Sequence, residues 1–399
     1  MRILKVTETY FPFLEKGGPP VKVRALARGL ARRGHQVTVL TADFGIVRSI
    51  SPAATRCEFG WRTEEDGVEA VYLPSPLRYR ALTWNPKARP FCRGRLSEFD
   101  AVHIFGLYDF LGPTVSAACR GRAIPYVLEP IGMFRPIVRS LWLKRLFHSW
   151  PGGHMIRGAR RVIATAKQEA DELVAGGIPA EKVMLRRNGV EPPGKLPAPG
   201  SFRRRWEIPA EAKLILFLGR LVQKKSPDLL VEAFARWRVS GGNGVTARLV
   251  FAGPEERDGT RAQLESLARK HSLQGQVIYT GALYNEAKWA AYSDADVFVL
   301  PSRNENFGNT AAEAMACGTP VIVTDNCGIA AHLAGRAGLA VAHDAQALGG
   351  ALARVLGDVA LRERLAAGCA EVTASLGWEE PVAEMEVLYQ TLAEEVCKG

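Results

Sequence analysis

Short apolar runs alternate along the whole chain with segments of helical period, and this leaves few folds open. "RILKVTE", "QVTVLTA", "GVEAVYLP", "FDAVHIF", "IPYVLEP" and "RRVIATA" read as strands of the first half, with helical patterns such as "VKVRALARGLARRG" among them. A second series follows in "KLILFLGR", "TARLVFAGP", "QVIYTGA", "DVFVLPS", "PVIVTD" and "GLAVA". Strands that alternate with helices pair in parallel, because a helix must carry the chain back before the next strand starts. Between the two series, "NGVEPPGKLPAPG" is rich in proline and glycine and reads as an interdomain linker. The chain is therefore expected to be α/β, with two Rossmann-like, doubly wound domains at 1–190 and 201–377 and a linker at 191–200. The cleft between the domains is the default site.

At 399 residues the chain can support two such cores. The N-terminus "MRILKVTETYF" reads as a first strand rather than the apolar core of a signal peptide, so nothing marks the chain for export. No apolar run approaches the length of a membrane-spanning helix. The seven cysteines are scattered without a CxxC pair, as expected of thiols in a reducing cytoplasm. Charge is divided unevenly. Residues 1–190 hold 30 Lys and Arg against 16 Asp and Glu, a net of +14, while the remainder is at −3. No nucleic-acid recognition motif accompanies the basic half, so nucleic acid is not expected as a partner. An anionic substrate or an anionic lipid surface explains the asymmetry as well.

Two carboxylates stand between the runs "DVFVLP" and "PVIVT". Glu305 lies in a polar, Asn-rich loop, and Glu313 lies on a helix that Asn309 or Thr310 could cap and Gly318 could end. Both can face the space above the strand ends, where open parallel sheets bind ligands. Gly219, Arg220 and Lys225 follow the first strand of the second half. A cation pair there, beside a helix N-terminus, suits a diphosphate, although the plainer reading is a solvated basic loop. With carboxylates to accept hydroxyl hydrogen bonds, the set fits a nucleoside diphosphate bearing a sugar. Gly17 and Gly18 could let backbone amides approach a phosphate or sugar, and a plain turn is the alternative. A GxGxxG fingerprint is missing after any strand, which removes the main support for a dinucleotide site.

Together, "FPFLEKGGPPVKVRALARGLARRGHQVTVLT", "GRLVQKKSPDLLVEAF", "VFAGP", "YTGAL" and "DVFVLPSRNENFGNTAAEAMACGTPVIVTD" resemble family 4 of the retaining glycosyltransferases, which have the GT-B fold. The resemblance covers nearly the whole chain, and its most specific piece is the E-x7-E spacing of Glu305 and Glu313. It implies that Glu313 holds the ribose hydroxyls of the donor and Glu305 lies against the donor sugar. It also implies that Phe307, Gly308, Asn309 and Thr310 touch sugar or phosphates through the loop and helix start. Arg220 and Lys225 match the diphosphate-binding cations, and Gly18 the glycine loop. The donor phosphate would help to deprotonate the acceptor. No metal and no cofactor beyond the donor substrate are expected. "DAD" at Asp294–Asp296 mimics a metal-binding DxD but occupies the turn into a strand and reads as structural. A last helix, 378–396, would cross back onto the first domain.

The pattern also departs from the family's. Ile131 in "EPIGMF" and Phe105 in "AVHIF" stand where many members have histidine, and Ser226 stands where glycine usually follows the lysine. Residues 327–331 replace the usual Gly-Gly-x-Pro-Glu. Glu129 could supply a polar group to the cleft, whereas His35, His103 and His154 read as structural or surface residues. "MFRPIVRSLWLKRLFHSW" (133–150) is amphipathic and basic, suited equally to an anionic membrane surface or to packing on the sheet. The resulting expectation is a cytoplasmic, peripherally membrane-associated glycosyltransferase that acts on a glycan or lipid-linked acceptor. A nucleotide-sugar-binding protein with impaired turnover, or a membrane adaptor, are the alternatives.

Overall fold

The computed structural model describes residues 1–13, 18–45, 51, 53–79, 82–134, 147, 151–242, 244–255, 258–333 and 335–398. Most of the basic segment 133–150 lies outside these residues, and so does Gly17. By internal packing the chain divides into two units, Met1–Gly189 with Trp378–Gly399, and Val190–Gly377. Each is an α/β unit around one principal sheet. Residues 191–200 carry no helix or strand and belong to the second unit.

The strands of the first unit are β1 (Arg2–Thr7), β2 (Gln36–Ala42), β3 (Thr55–Cys57), β4 (Gly60–Glu65), β5 (Val68–Leu73), β6 (Leu77–Tyr79), β7 (Leu82–Trp84), β8 (Ala101–Phe105), β9 (Tyr126–Glu129), β10 (Arg161–Ala164) and β11 (Val183–Leu185). Nine of them form one sheet in the order β11-β10-β9-β8-β1-β2-β5-β4-β3, and β6 and β7 form a separate hairpin. Pairing is parallel from β11 to β5, and the β5-β4-β3 edge is antiparallel. In β1 every residue after Arg2 is buried, as a strand covered on both faces requires. Leu4 and Val6 join the core that also holds Phe91 and Val115 from the helices Ala88–Arg95 and Leu111–Arg120. Ile3 faces the other core, with Val23 and Leu26 of the helix Gly18–Arg32. The last helix, Glu379–Lys398, buries Val382, Met385 and Tyr389 in that second core.

A cluster of charges is sealed among these strands. Glu129 is fully buried rather than placed as a polar group at a cleft. Its carboxylate accepts from Lys22 Nζ at 2.5 Å and from Arg186 Nη2 at 3.0 Å to each oxygen. Burial raises the Glu129 carboxyl, but Arg186 and Lys22 outweigh it and hold it below its ordinary value. Beside this pair, Lys5 Nζ donates to Tyr389 Oη at 3.2 Å, and His103 Nδ1 lies 2.6 Å from the same oxygen. Phe105 stacks on His103, with ring centroids 3.9 Å apart, and receives the Lys5 ammonium over its face. Burial drives His103 well below its usual pKa. With the imidazole neutral, Tyr389 donates to Nδ1, and Nε2–H faces Glu129 Oε2 at 3.6 Å. Directly after Glu129 the backbone is strained: Ile131 has φ +56, a region β-branched residues avoid. The turn is held by Gly132 N donating to the Glu169 carboxylate at 2.5 Å.

Desolvation by burial brings Lys5 from 10.5 to about 7, chiefly against the ammonium form, with Arg186 adding to it. Between these values the unfolded chain holds a proton that the native state has released, so native stability rises with pH across the window. Thermal melts of wild type and Lys5→Met should show this as a difference. Over that pH range the wild type gains on the variant by roughly 1.4 kcal/mol per pH unit at most. Parallel curves would show that Lys5 is charged throughout.

The second unit contains β12 (Lys213–Leu218), β13 (Ala247–Ala252), β14 (Val277–Gly281), β15 (Val297–Leu300), β16 (Val321–Thr324) and β17 (Gly338–Val341). They form an all-parallel sheet in the order β14-β13-β12-β15-β16-β17. The order reverses between β12 and β15, so chains leaving these neighbours diverge and open a crevice at their carboxyl ends. Asp294 and Asp296, the DxD look-alike, are engaged structurally. Asp294 accepts from the backbone N–H of Gly200, Phe202 and Arg203 at 2.7, 2.8 and 3.1 Å and caps the helix Ser201–Arg205. Asp296 binds Arg203 Nη2 and Leu214 N, each at 2.8 Å.

Candidate active site

The crevice between β12 and β15 collects most of the residues singled out in the sequence. Gly219 and Arg220 leave β12, and the chain turns so that the Lys225 side chain returns over Gly219, where an added Cβ would lie 3.1 Å from Nζ. Ser226, at the position where the family pattern has glycine, adopts a left-handed φ of +46. That conformation costs a side-chain-bearing residue about 1–2 kcal/mol. The Ser226 hydroxyl offsets part of this through a 2.9 Å contact with His343 Nε2. The helix Pro227–Ser240 then starts with proline in its first turn, where no N–H is needed.

The loop after β15 is bound to this turn. Arg303 N donates to Lys224 O at 3.0 Å, and Lys225 Nζ lies 3.1 Å from Glu305 Oε2. The Glu305 backbone is fixed as well, with its N–H on Asn326 O at 3.1 Å and its carbonyl accepting from Gly328 N at 2.9 Å. Burial raises the Glu305 carboxyl, but Lys225, Lys224 and Arg220 together hold it below its ordinary value. It is a carboxylate throughout the neutral range.

Beyond it, Phe307 is buried and its carbonyl accepts from Ile329 N at 2.6 Å. Gly308, at φ +103, turns the chain into the helix Asn309–Ala316. Neither Asn309 nor Thr310 caps that helix, contrary to the sequence reading. The left-handed glycine occupies the cap, so both residues already lie within the helix. Thr310 Oγ1 is buried without a partner, and so is Ser302 Oγ at the end of β15. Glu313 follows one turn into the helix. Its two oxygens accept from Lys288 Nζ at 2.8 Å and Tyr292 Oη at 2.9 Å, both on the helix Asn285–Asp294. Desolvation, followed by the Glu313 charge, pushes the Tyr292 hydroxyl well above its usual pKa and keeps it a donor. Each Glu313 oxygen keeps a lone pair for a further hydroxyl.

Lys288 and Tyr292 escaped the sequence reading. They come from a separate helix, 25 and 21 residues before Glu313. Their i, i+4 spacing was the only available signal. Gly18 opens the helix Gly18–Arg32 of the first unit. Among the described residues, no group of three or more His, Cys, Asp or Glu could hold a metal ion.

Chemically, the crevice offers cations and a helix N-terminus for an anion, with carboxylates alongside to accept from hydroxyls. Along most of its length the chain is similar to known proteins. A family model for glycosyl transferase 4-like domains matches residues 17–189, and one for glycosyl transferases group 1 matches residues 200–370. A D-inositol 3-phosphate glycosyltransferase of Geodermatophilus obscurus is 34% identical over 408 residues, covering 96% of this chain and 86% of that protein. Its namesake in Kineococcus radiotolerans is 33% identical, covering 91% and 88%. Among solved structures, HepE of Anabaena, in complex with UDP and glucose, has a TM-score of 0.77 at 15% identity, covering 98% of this chain and 100% of its own. Sucrose-phosphate synthase of Thermosynechococcus elongatus has a TM-score of 0.74 at 22% identity, covering 98% of both chains. Fold and sequence together define a glycosyltransferase of GT-B type. The chain belongs to the family 4-type, group 1 glycosyltransferases.

The crevice depends on a close backbone crossing. A Cβ on Gly253, after β13, would lie 1.8 Å from the Gly219 carbonyl oxygen. Gly253→Ala should therefore lower stability in urea unfolding by at least about 1–3 kcal/mol, the range for overpacking. Unchanged stability would mean that the Gly219–Arg220 turn shifts without cost.

Proposed function

We propose that the protein is a retaining, metal-independent glycosyltransferase that moves a sugar from a nucleoside diphosphate to a hydroxyl of a glycan or lipid-linked acceptor. Its setting is cytoplasmic, with an anionic membrane surface as a partner of the basic first unit. The observation that carries this reading is the convergence of Lys225 and Glu305, 3.1 Å apart, at the point of strand-order reversal. Arg220 and Lys225 bind the diphosphate, and Glu313 accepts from the ribose hydroxyls. Glu305 and the backbone of Phe307, Gly308, Asn309 and Thr310 face the donor sugar and phosphates.

As the sugar C1–oxygen bond breaks, its electron pair passes to the diphosphate. The acceptor oxygen bonds to C1 on the same face and its proton goes to the departing phosphate. Positive charge grows on the sugar and negative charge on the leaving group. Fixed cations and a helix N-terminus stabilise the latter without a metal. A second reading, a nucleotide-sugar-binding protein of impaired turnover, draws on the strained Ile131 at a position where many members have histidine.

Thermal shifts with UDP, GDP, ADP and their sugar conjugates, in the presence of EDTA, test the donor site. One nucleotide should stabilise the wild type by about 2.7 kcal/mol at a hundredfold excess over Kd. The same nucleotide should have little effect on Glu313→Ala. No shift with any nucleotide would overturn the reading. Given a shift, Lys225→Ala should lower kcat about 10²–10³-fold, as loss of a leaving-group contact does. Binding without hydrolysis or transfer would favour the second reading.

A further inference from the structure

The β6–β7 hairpin presents two large apolar side chains to solvent. Leu77 is 65% exposed and Trp84 50% exposed, and they are direct cross-strand partners, so they share one face. The base of the hairpin is fixed. Thr83 is buried, its hydroxyl donates to Asn85 Oδ1 at 3.0 Å, and Asn85 Nδ2 donates to Ser75 Oγ at 3.0 Å. The outward position of Trp84 therefore follows from an anchored strand, not from a loose end.

The surrounding sequence has one sign of charge. Between Glu69 and Glu98 there is no acidic residue and there are six basic ones. Arg95 is held by Glu69 and Glu98, and Arg78 donates to the Phe44 carbonyl. Lys87, Arg89 and Arg93 are exposed and in no ion pair among the described residues. Lys87 comes three residues after Trp84. Arg89 and Arg93 are spaced i, i+4 on the helix Ala88–Arg95, whose buried face is Ala88, Phe91 and Cys92.

We infer that this hairpin, with the basic helix after it, is a docking surface for an anionic lipid bilayer, Leu77 and Trp84 entering the interface and Lys87, Arg89 and Arg93 meeting headgroup phosphates. Tryptophan favours the membrane–water boundary, and basic residues beside it add an attraction that a neutral surface lacks. Two side chains expose far less area than the ~1,000 Å² a stable protein interface requires, which argues against a second copy as the occupant. The inference deepens the proposed membrane-surface partner and is independent of the donor site.

Co-sedimentation of the full chain with phosphatidylcholine vesicles, with and without phosphatidylglycerol, tests it. Binding is expected only to the anionic vesicles and should weaken with salt. Leu77→Ser/Trp84→Ser should abolish most of it. Lys87→Glu/Arg89→Glu should weaken it at least about tenfold, from roughly fivefold per lost cation. Brominated lipid should quench wild-type fluorescence more than that of Trp84→Phe. Nucleotide thermal shifts, unaltered in all these variants, would show that the donor site is intact whatever the vesicles do. Vesicle binding that both double variants retain, no binding to anionic vesicles, or a Leu77- and Trp84-dependent dimer in sedimentation velocity would each overturn the assignment.

Discussion

The reversal of strand order between β12 and β15 is the constraint on which the chemistry of the second unit rests. Two parallel neighbours whose chains depart in opposite directions leave their carboxyl ends uncovered, and any polar group in the following turns then faces that gap. Here the two turns are also joined. Arg303 N donates to Lys224 O, and Lys225 reaches Glu305, so cations from one loop and a carboxylate from the other hold each other in place. The glycine at 253 lets the turn after β13 approach the Gly219 carbonyl. Preorganisation of this kind matters for a leaving group that carries charge, because donors already in position need no reorganisation as that charge develops.

The first unit meets a different difficulty, since it buries three cations in a strand-and-helix interior. Glu129 balances only part of that charge, and desolvation also lowers Lys5 and Lys22 toward their neutral forms. The cluster spans β1, β8, β9, the helix after the glycine loop, the residue after β11 and the last helix. Removing one member leaves a buried partner unpaired, which costs far more than a surface ion pair is worth. Phe105 acquires a purpose in this setting. Its ring stacks on His103 and faces Lys5, adding no further proton-binding group to an interior already crowded with cations.

How much of this was legible varies with sequence separation. Most strands of both sheets could be read because they are continuous apolar runs closed by turn residues, whereas β3, β4 and β11, short or largely exposed, could not. Arg220, Lys225 and Glu305 were legible because each lies in the turn after such a run. Glu313 was legible from its helix. Its partners Lys288 and Tyr292 were not, since nothing local links them to it. The Lys22–Glu129 pair joins residues 107 apart and Lys5–Tyr389 residues 384 apart, beyond the reach of any periodicity argument. The capping error at Asn309 and Thr310 has a local cause. Side-chain preference ranks asparagine above glycine at a cap, but here the turn requires positive φ, and Gly308 supplies it.

Charge, too, reads differently once the units are known. The last helix returns six acidic residues against one basic residue to the first unit, lowering its excess from +14 to +9. The second unit, with 21 basic against 19 acidic residues, stands at +2. A diphosphate therefore finds no strong general field on the second unit. Attraction there comes from Arg220, Lys224 and Lys225 against the single Glu305, and it fades beyond a Debye length of about 8 Å at physiological ionic strength. Such a site selects by geometry. On the first unit, Arg24 and Arg28 face Glu65 and Asp66, and Arg33 faces Glu386, so these cations are already paired locally. After β7, Lys87, Arg89 and Arg93 are exposed and in no ion pair among the described residues, and a surface with that pattern attracts an extended anionic plane more strongly than a single small ligand.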